Sequence, residues 1–177
     1  MAFLFVQFLI IISTALTFLV VYGFNEWAIG ELQFMPGVHW VSLPAGLCVL
    51  STLLLGAAGT AGILVAYLLL YVLRFKFVDL PHGCLSALAQ SAGPFLVYIF
   101  AERFYGLRAS LANLTSKRLL FVIVVCSAVC PALLSLVMRT SADSWDMLIH
   151  YLNMFAGNVV GALILTYILK AISAVLP

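Results

Sequence analysis

Cys126 and Cys130 stand one helical turn apart in an apolar run, so a helix places both thiols on one face. Thiols so placed can bind a soft metal or answer to redox. In apolar surroundings they are read here as small buried hydrophobes. Cys48 and Cys84 also sit in or beside apolar runs, and no CxxC motif points to a structural zinc site. Further along, His150, Asn153, Gly157 and Gly161 recur at helical spacing and share one face, while Asn158 points elsewhere. The Gly157/Gly161 pair lets another backbone approach closely, and Asn153 can hydrogen-bond across such a contact.

Gln90 lies four residues before Pro94, which has no N–H, so the Gln90 carbonyl loses its helical partner. Pro131 does the same to the Ser127 carbonyl. Trp40, Ser42, Pro44 and Gly46 cluster at the start of another apolar run. Polar groups at membrane depth face protein or a water-filled cavity. Trp40, Ser42, Gln90, His150, Asn153 and Asn158 are therefore the candidate ligand-binding residues, for a small cationic or polar ligand. The plainer role for the same groups is glue between helices.

Other chemistries find no footing. The chain has no P-loop, no GxSxG and no HExxH, and no span carries paired carboxylates for acid–base work. No enzyme activity and no cofactor are expected. His39 and His150 could ligate a metal only if the fold brought them together, which their spacing does not require. Basic residues are scattered, which gives no footprint for nucleic acid. Asn113-Leu-Thr115 matches a glycosylation sequon, but its loop is expected on the cytoplasmic side.

The elements that position these groups follow from composition. Of 177 residues, 66% are hydrophobic and 8% charged, with net charge +2. Mean hydropathy is +1.23. A soluble domain carries about 25% charged residues, so the expected solvent is a lipid bilayer. The expected fold class is all-α, a polytopic helical bundle forming a single transmembrane domain over residues 1–177. About six stretches are long and apolar enough to cross, at about residues 2–22, 38–55, 59–73, 84–101, 119–138 and 148–172. The first lacks a basic n-region and a cleavage site and is read as a retained helix, not a signal peptide. The turn Gly56-Ala-Ala-Gly59 makes the second and third stretches an antiparallel hairpin.

Lysine and arginine orient the bundle. Arg103, Arg108, Lys117, Arg118 and Lys170 fall on one side, and Arg74, Lys76 and Arg139 on the other. The bias places both termini in the cytoplasm. Trp27, Trp40 and Trp145 then sit at the outer interface. Glu26, Glu31, Asp79, Asp143, Asp146, His39, His82 and His150 form an acidic, histidine-bearing outer rim.

The run Trp40-Val-Ser-Leu-Pro44-Ala-Gly46-Leu, then Leu-Leu-Leu-Gly56 and a glycine-bearing third span, resembles the MASE-type membrane sensor domains of bacteria. Gly157-Asn158 on a later helix is similar to their pattern. The resemblance covers about residues 38–173 and rests on short motifs. It implies a sensor or small-ligand-binding module in the bacterial inner membrane. The family usually has more spans, and no output module is read after Pro177, so signalling would pass through a separate protein partner. Size and span count also resemble the substrate-binding subunits of energy-coupling-factor vitamin transporters, which act with an energising partner. A structural or assembly subunit is the remaining alternative.

Overall fold

In hydrocarbon every backbone N–H and C=O has to be satisfied within the chain, which makes long apolar runs helical. The structure, a computed structural model, describes residues 2–29, 33–35, 38–75, 80–105, 115–137 and 144–175. Its helices are α1 (Ala2–Ile29), α2 (Leu43–Phe75), α3 (Leu80–Tyr105), α4 (Ser116–Val137) and α5 (Ser144–Val175). All five are long and apolar enough to cross a membrane. Strands β1 (Gln33–Met35) and β2 (Val38–His39) pair antiparallel in a small ribbon between α1 and α2. Lys76, Asp79, Arg108, Asn113, Arg139, Asp143 and Glu31 lie outside the described residues.

Four expected boundaries are corrected. The second stretch does not begin as a helix at Val38: Val38 and His39 belong to β2, and helix starts only at Leu43, with Pro44 in its first turn. Proline there forfeits no hydrogen bond, because first-turn N–H groups have no helical partner. Trp40 and Ser42 therefore precede the helix. Conversely, α1 runs on to Ile29, and α3 and α5 start several residues early, at Leu80 and Ser144. Apolarity marks only the hydrocarbon depth, about 20 residues, whereas a helix can continue through the headgroup zone on polar side chains.

α2 is broken at Gly56, whose φ of 58° and ψ of −134° are non-helical. Its two halves fold back on one another. The Cys48 Sγ and Tyr67 hydroxyl are 3.8 Å apart, where a straight helix would separate residues so spaced by about 28 Å. Across the turn the Thr60 hydroxyl reaches the Gly56 carbonyl at 3.1 Å and the Thr52 hydroxyl at 3.4 Å.

The first half, residues 43–55, is the axis of the molecule. Val49 and Leu53 pack with Val97, Tyr98 and Ala101 of α3 and Val122, Ile123 and Cys126 of α4. From the same half, Cys48 joins a second cluster with Ala15 and Phe18 of α1 and Ile63 and Ala66 of the second half. Ser51 and Thr52 are buried there as well, and the Ser51 hydroxyl donates to the Leu47 carbonyl.

Contacts fix the directions. Asn25 near the end of α1 meets Leu43 at the start of α2. Gly62 lies against Thr14, Gly83 against Tyr71, Gly56 against Tyr98 and Gly93 against Cys130. Both chain ends thus lie at the end of the bundle where α2 turns at Gly56. The ribbon, the start of α2 and the start of α5 lie at the opposite end.

Candidate functional site

The closest joint between helices forms where the ribbon leads into α2. The Ser42 N–H donates to the Gly157 carbonyl at 3.0 Å. A side chain on Gly161 would collide with the Ser42 carbonyl and come within 2.9 Å of the Leu43 nitrogen. From the other direction, a Cβ on Gly46 would lie 2.7 Å from the Ala162 Cα. The Gly157/Gly161 face is therefore filled by backbone, as its small residues permit. On the far side of α2, Asn25 is 2% exposed and its Oδ1 accepts from the Leu43 N–H at 3.0 Å. That N–H belongs to a helix N-terminus, where no intrahelical acceptor exists. Asn25, a residue of α1, thus caps α2. Sequence reasoning did not single it out, because no local pattern connects a cap to a helix beginning eighteen residues later.

The remaining candidates are dispersed. Asn153 does not reach across to a neighbour; its Nδ2 donates to the Ile149 carbonyl of its own helix at 2.9 Å. That carbonyl is one turn away, the easiest acceptor for a short amide side chain in an apolar medium. His150 and Asn158 are half-buried on α5, and Trp40 is half exposed. Gln90 stands on α3, which packs chiefly against α2 and α4 and not alongside α5. The structure therefore joins Ser42 to the α5 face and leaves Gln90 in a different interface.

That second interface has its own character. Around Gln90, the neighbours one turn away (Ala87, Gly93 and Pro94) are buried, as are Gly83 and Val97 two turns away. Gln90 occupies the middle of this buried face yet keeps accessible surface. Beside it, the Ser86 hydroxyl oxygen is enclosed and has no hydrogen-bond partner. Leu85, Leu88, Leu96 and Ile99 cover the opposite, exposed face of α3.

The four cysteines are free thiols; Cys48 and Cys126 are buried, and Cys84 and Cys130 half-buried. Among the described residues, no group of three or more His, Cys, Asp or Glu side chains converges as a metal site. Trp27 and Trp145 are 84% and 70% exposed, and both belong to the ribbon end, as do Glu26, His82, Asp146 and His150. No family model matches the chain, and no curated protein or solved structure matches it.

Proposed function

We propose that this protein is a membrane-embedded, non-catalytic sensor or ligand-binding module of a bacterial inner membrane that acts through a separate protein partner. One observation carries the reading: α1 and α5 are each held by the bundle along one part and uncovered along another. α1 is engaged from Ile11 to Asn25, while Phe3, Leu4, Phe5, Val6, Phe8 and Leu9 are exposed. α5 is clasped at Gly157 and Gly161, while Leu163, Ile164, Tyr167, Ile168, Leu169 and Ile172 are exposed. Both uncovered parts lie towards the Gly56 end. A displacement at the Asn25–Leu43–Ser42–Gly157 joint shifts both helices together, because that joint ties α1, α2 and α5. The uncovered ends then carry the movement to a partner helix.

The MASE-type resemblance supports this reading, and so does the apolar composition. In the same reading the two halves of α2 are separate passes, making six. Both termini are cytoplasmic, and the rim at the ribbon end faces outward. The first half of α2, ~20 Å long, is shorter than the ~30 Å hydrocarbon. It is tolerated because the other helices enclose it.

Photo-crosslinking amino acids at Phe5 and Ile168, with buried Phe18 as control, test the reading in native membranes. The expected result is one discrete adduct with a signalling protein at Phe5 and Ile168 and none at Phe18. An adduct with an ATPase-linked component would transfer the protein to solute capture. Adducts with lipid alone would refute a partner-coupled module.

A further inference from the structure

We propose that Pro94 and Pro131 form one hinge, at which α3 and α4 bend together, and that the Tyr151 hydroxyl latches it to α5. The hinge deepens the sensor reading above, because α5 belongs to both, but its geometry needs no partner.

α3 and α4 each carry one proline inside the helix. Each proline removes the N–H that would meet a carbonyl four residues back, here those of Gln90 and Ser127. Each is therefore a point where its helix yields. The fold sets the two points against each other. A Cβ on Gly93 would lie 2.6 Å from the Cys130 Sγ and 3.4 Å from the Cys130 Cα, so the residues just before the two prolines touch. Both prolines are less than 2% exposed. Helices that meet at their weak points can bend at one depth and keep their seam, whereas a bend in one alone would open it.

Side-chain hydroxyls near the hinge bond other carbonyls than the two set free. Ser91 donates to the Ala87 carbonyl at 2.9 Å, and Ser135 to the Pro131 carbonyl at 2.7 Å. Serines bonded back in this way favour a bend. The Tyr151 hydroxyl crosses from α5 to the Ala128 carbonyl at 3.3 Å, in the turn that Pro131 interrupts. α5 is thus tied to α4 at the hinge itself. The arms differ on its two sides. Towards the Gly56 end, Val97, Tyr98 and Ala101 pack with Val122, Ile123 and Cys126 in the core. Beyond Pro131, towards the ribbon end, α4 has no buried residue among those described. The core arms are the fixed side, and the ribbon-end arms move.

The test uses the full chain in nanodiscs, with ketoxime spin labels on p-acetylphenylalanine and pulsed EPR as the readout. One pair, at exposed Leu85 and Leu136, reports the ribbon-end arms; the other, at exposed Phe104 and Leu120, reports the core arms. The first pair should give a distance distribution about twice as broad as the second. Tyr151→Phe, which removes the latch, should broaden the first pair further and leave the second unchanged. A bend of about 20° at Pro131 displaces Leu136, about 7.5 Å further along, by about 3 Å. Pro131→Ala should therefore shift the mean of the first pair by about that much. Adding Pro94→Ala should return the mean towards its original value and narrow the first pair to the width of the second. Equal widths for the two pairs before any hinge substitution would overturn the moving arms. Shifts that add in the double variant would overturn the shared hinge, and an unchanged width in Tyr151→Phe would overturn the latch. If the double variant fails to fold, the two widths and Tyr151→Phe decide without it. Partner adducts at Phe5 bear on the sensor reading alone, so the two can fail separately.

Discussion

At the residue scale, position along the helix decided less than what lay across from it. Gly157 and Gly161 were legible because close approach needs small residues at that spacing, and the structure fills their face with the backbone of Ser42 and Leu43. Asn153, on the same face, was read as a cross-helix donor and instead bonds its own helix at 2.9 Å. Asn25 shows the reverse. It reads as an interfacial residue next to Glu26 and Trp27, and only the fold brings the Leu43 N–H to it. Losing that acceptor strands a buried donor at a cost of about 1–3 kcal/mol. Asn25→Ala should therefore lower the unfolding temperature in detergent by several degrees, at about 2–4 °C per kcal/mol for a chain of this size. Asn25→Asp retains an oxygen acceptor, so at the same pH it should fall less far than Asn25→Ala. Equal losses in the two variants, measured by the melting of tryptophan fluorescence, would show that packing and not capping holds Asn25.

At the element scale, the apolar runs identified the helices, and glycine identified the break in α2. Helix ends were less legible because hydropathy reports solvent, while a helix ends where its hydrogen bonds end. The start of the second stretch was misplaced for that reason: Val38 is apolar enough to join it, but Val38 and His39 pair with β1 instead. Two glycines separate the forces at work. At Gly56 a Cβ would meet nothing nearer than the Tyr98 hydroxyl at 3.8 Å, so space is not the constraint. Its backbone conformation is one that only glycine adopts readily, at a cost of about 1–3 kcal/mol for other residues. At Gly161 the backbone is helical and the constraint is the neighbouring chain. Gly56→Ala should thus lower stability yet preserve the α2–α5 joint. Gly161→Ala should force α2 and α5 apart. Spin labels at exposed Trp40→Cys and Leu163→Cys, read by pulsed EPR, would separate the two cases without entering the joint. Their separation should hold with Gly56→Ala present and lengthen with Gly161→Ala. Lengthening in both would mean that the hairpin turn, not the glycine face, sets the joint.

At the scale of the whole molecule, connectivity and charge make independent statements about topology. The contacts place the start of α1, the end of α3, the start of α4 and the end of α5 together, since Tyr98 sits at the Gly56 turn and Asn25 marks the opposite end. This grouping needs the fold-back at Gly56. If α2 were one uninterrupted pass, the two chain ends would lie on opposite sides. The proposed side rests on lysine and arginine: Arg103, Lys117, Arg118 and Lys170 lie at this end and Arg74 at the other, and in the sequence Arg108 adds to the first group and Lys76 and Arg139 to the second. In the orientation proposed above, the positive-inside bias puts the richer end in the cytoplasm. Exposed Trp27 and Trp145, used in neither step, would in that orientation fall at the outer interface. Reporter fusions after Met1, within 106–114 and after Pro177 should all score cytoplasmic, and one in 76–79 should score external. Agreement among the first three with the sign reversed would keep the fold and discard the charge argument. Disagreement between the two termini would discard the fold-back, and with it the shared end that lets α1 and α5 act on one partner. Moving two arginines from 103–118 into 30–32 should shift the fusions toward mixed scores if charge sets the side, because the remaining asymmetry is small.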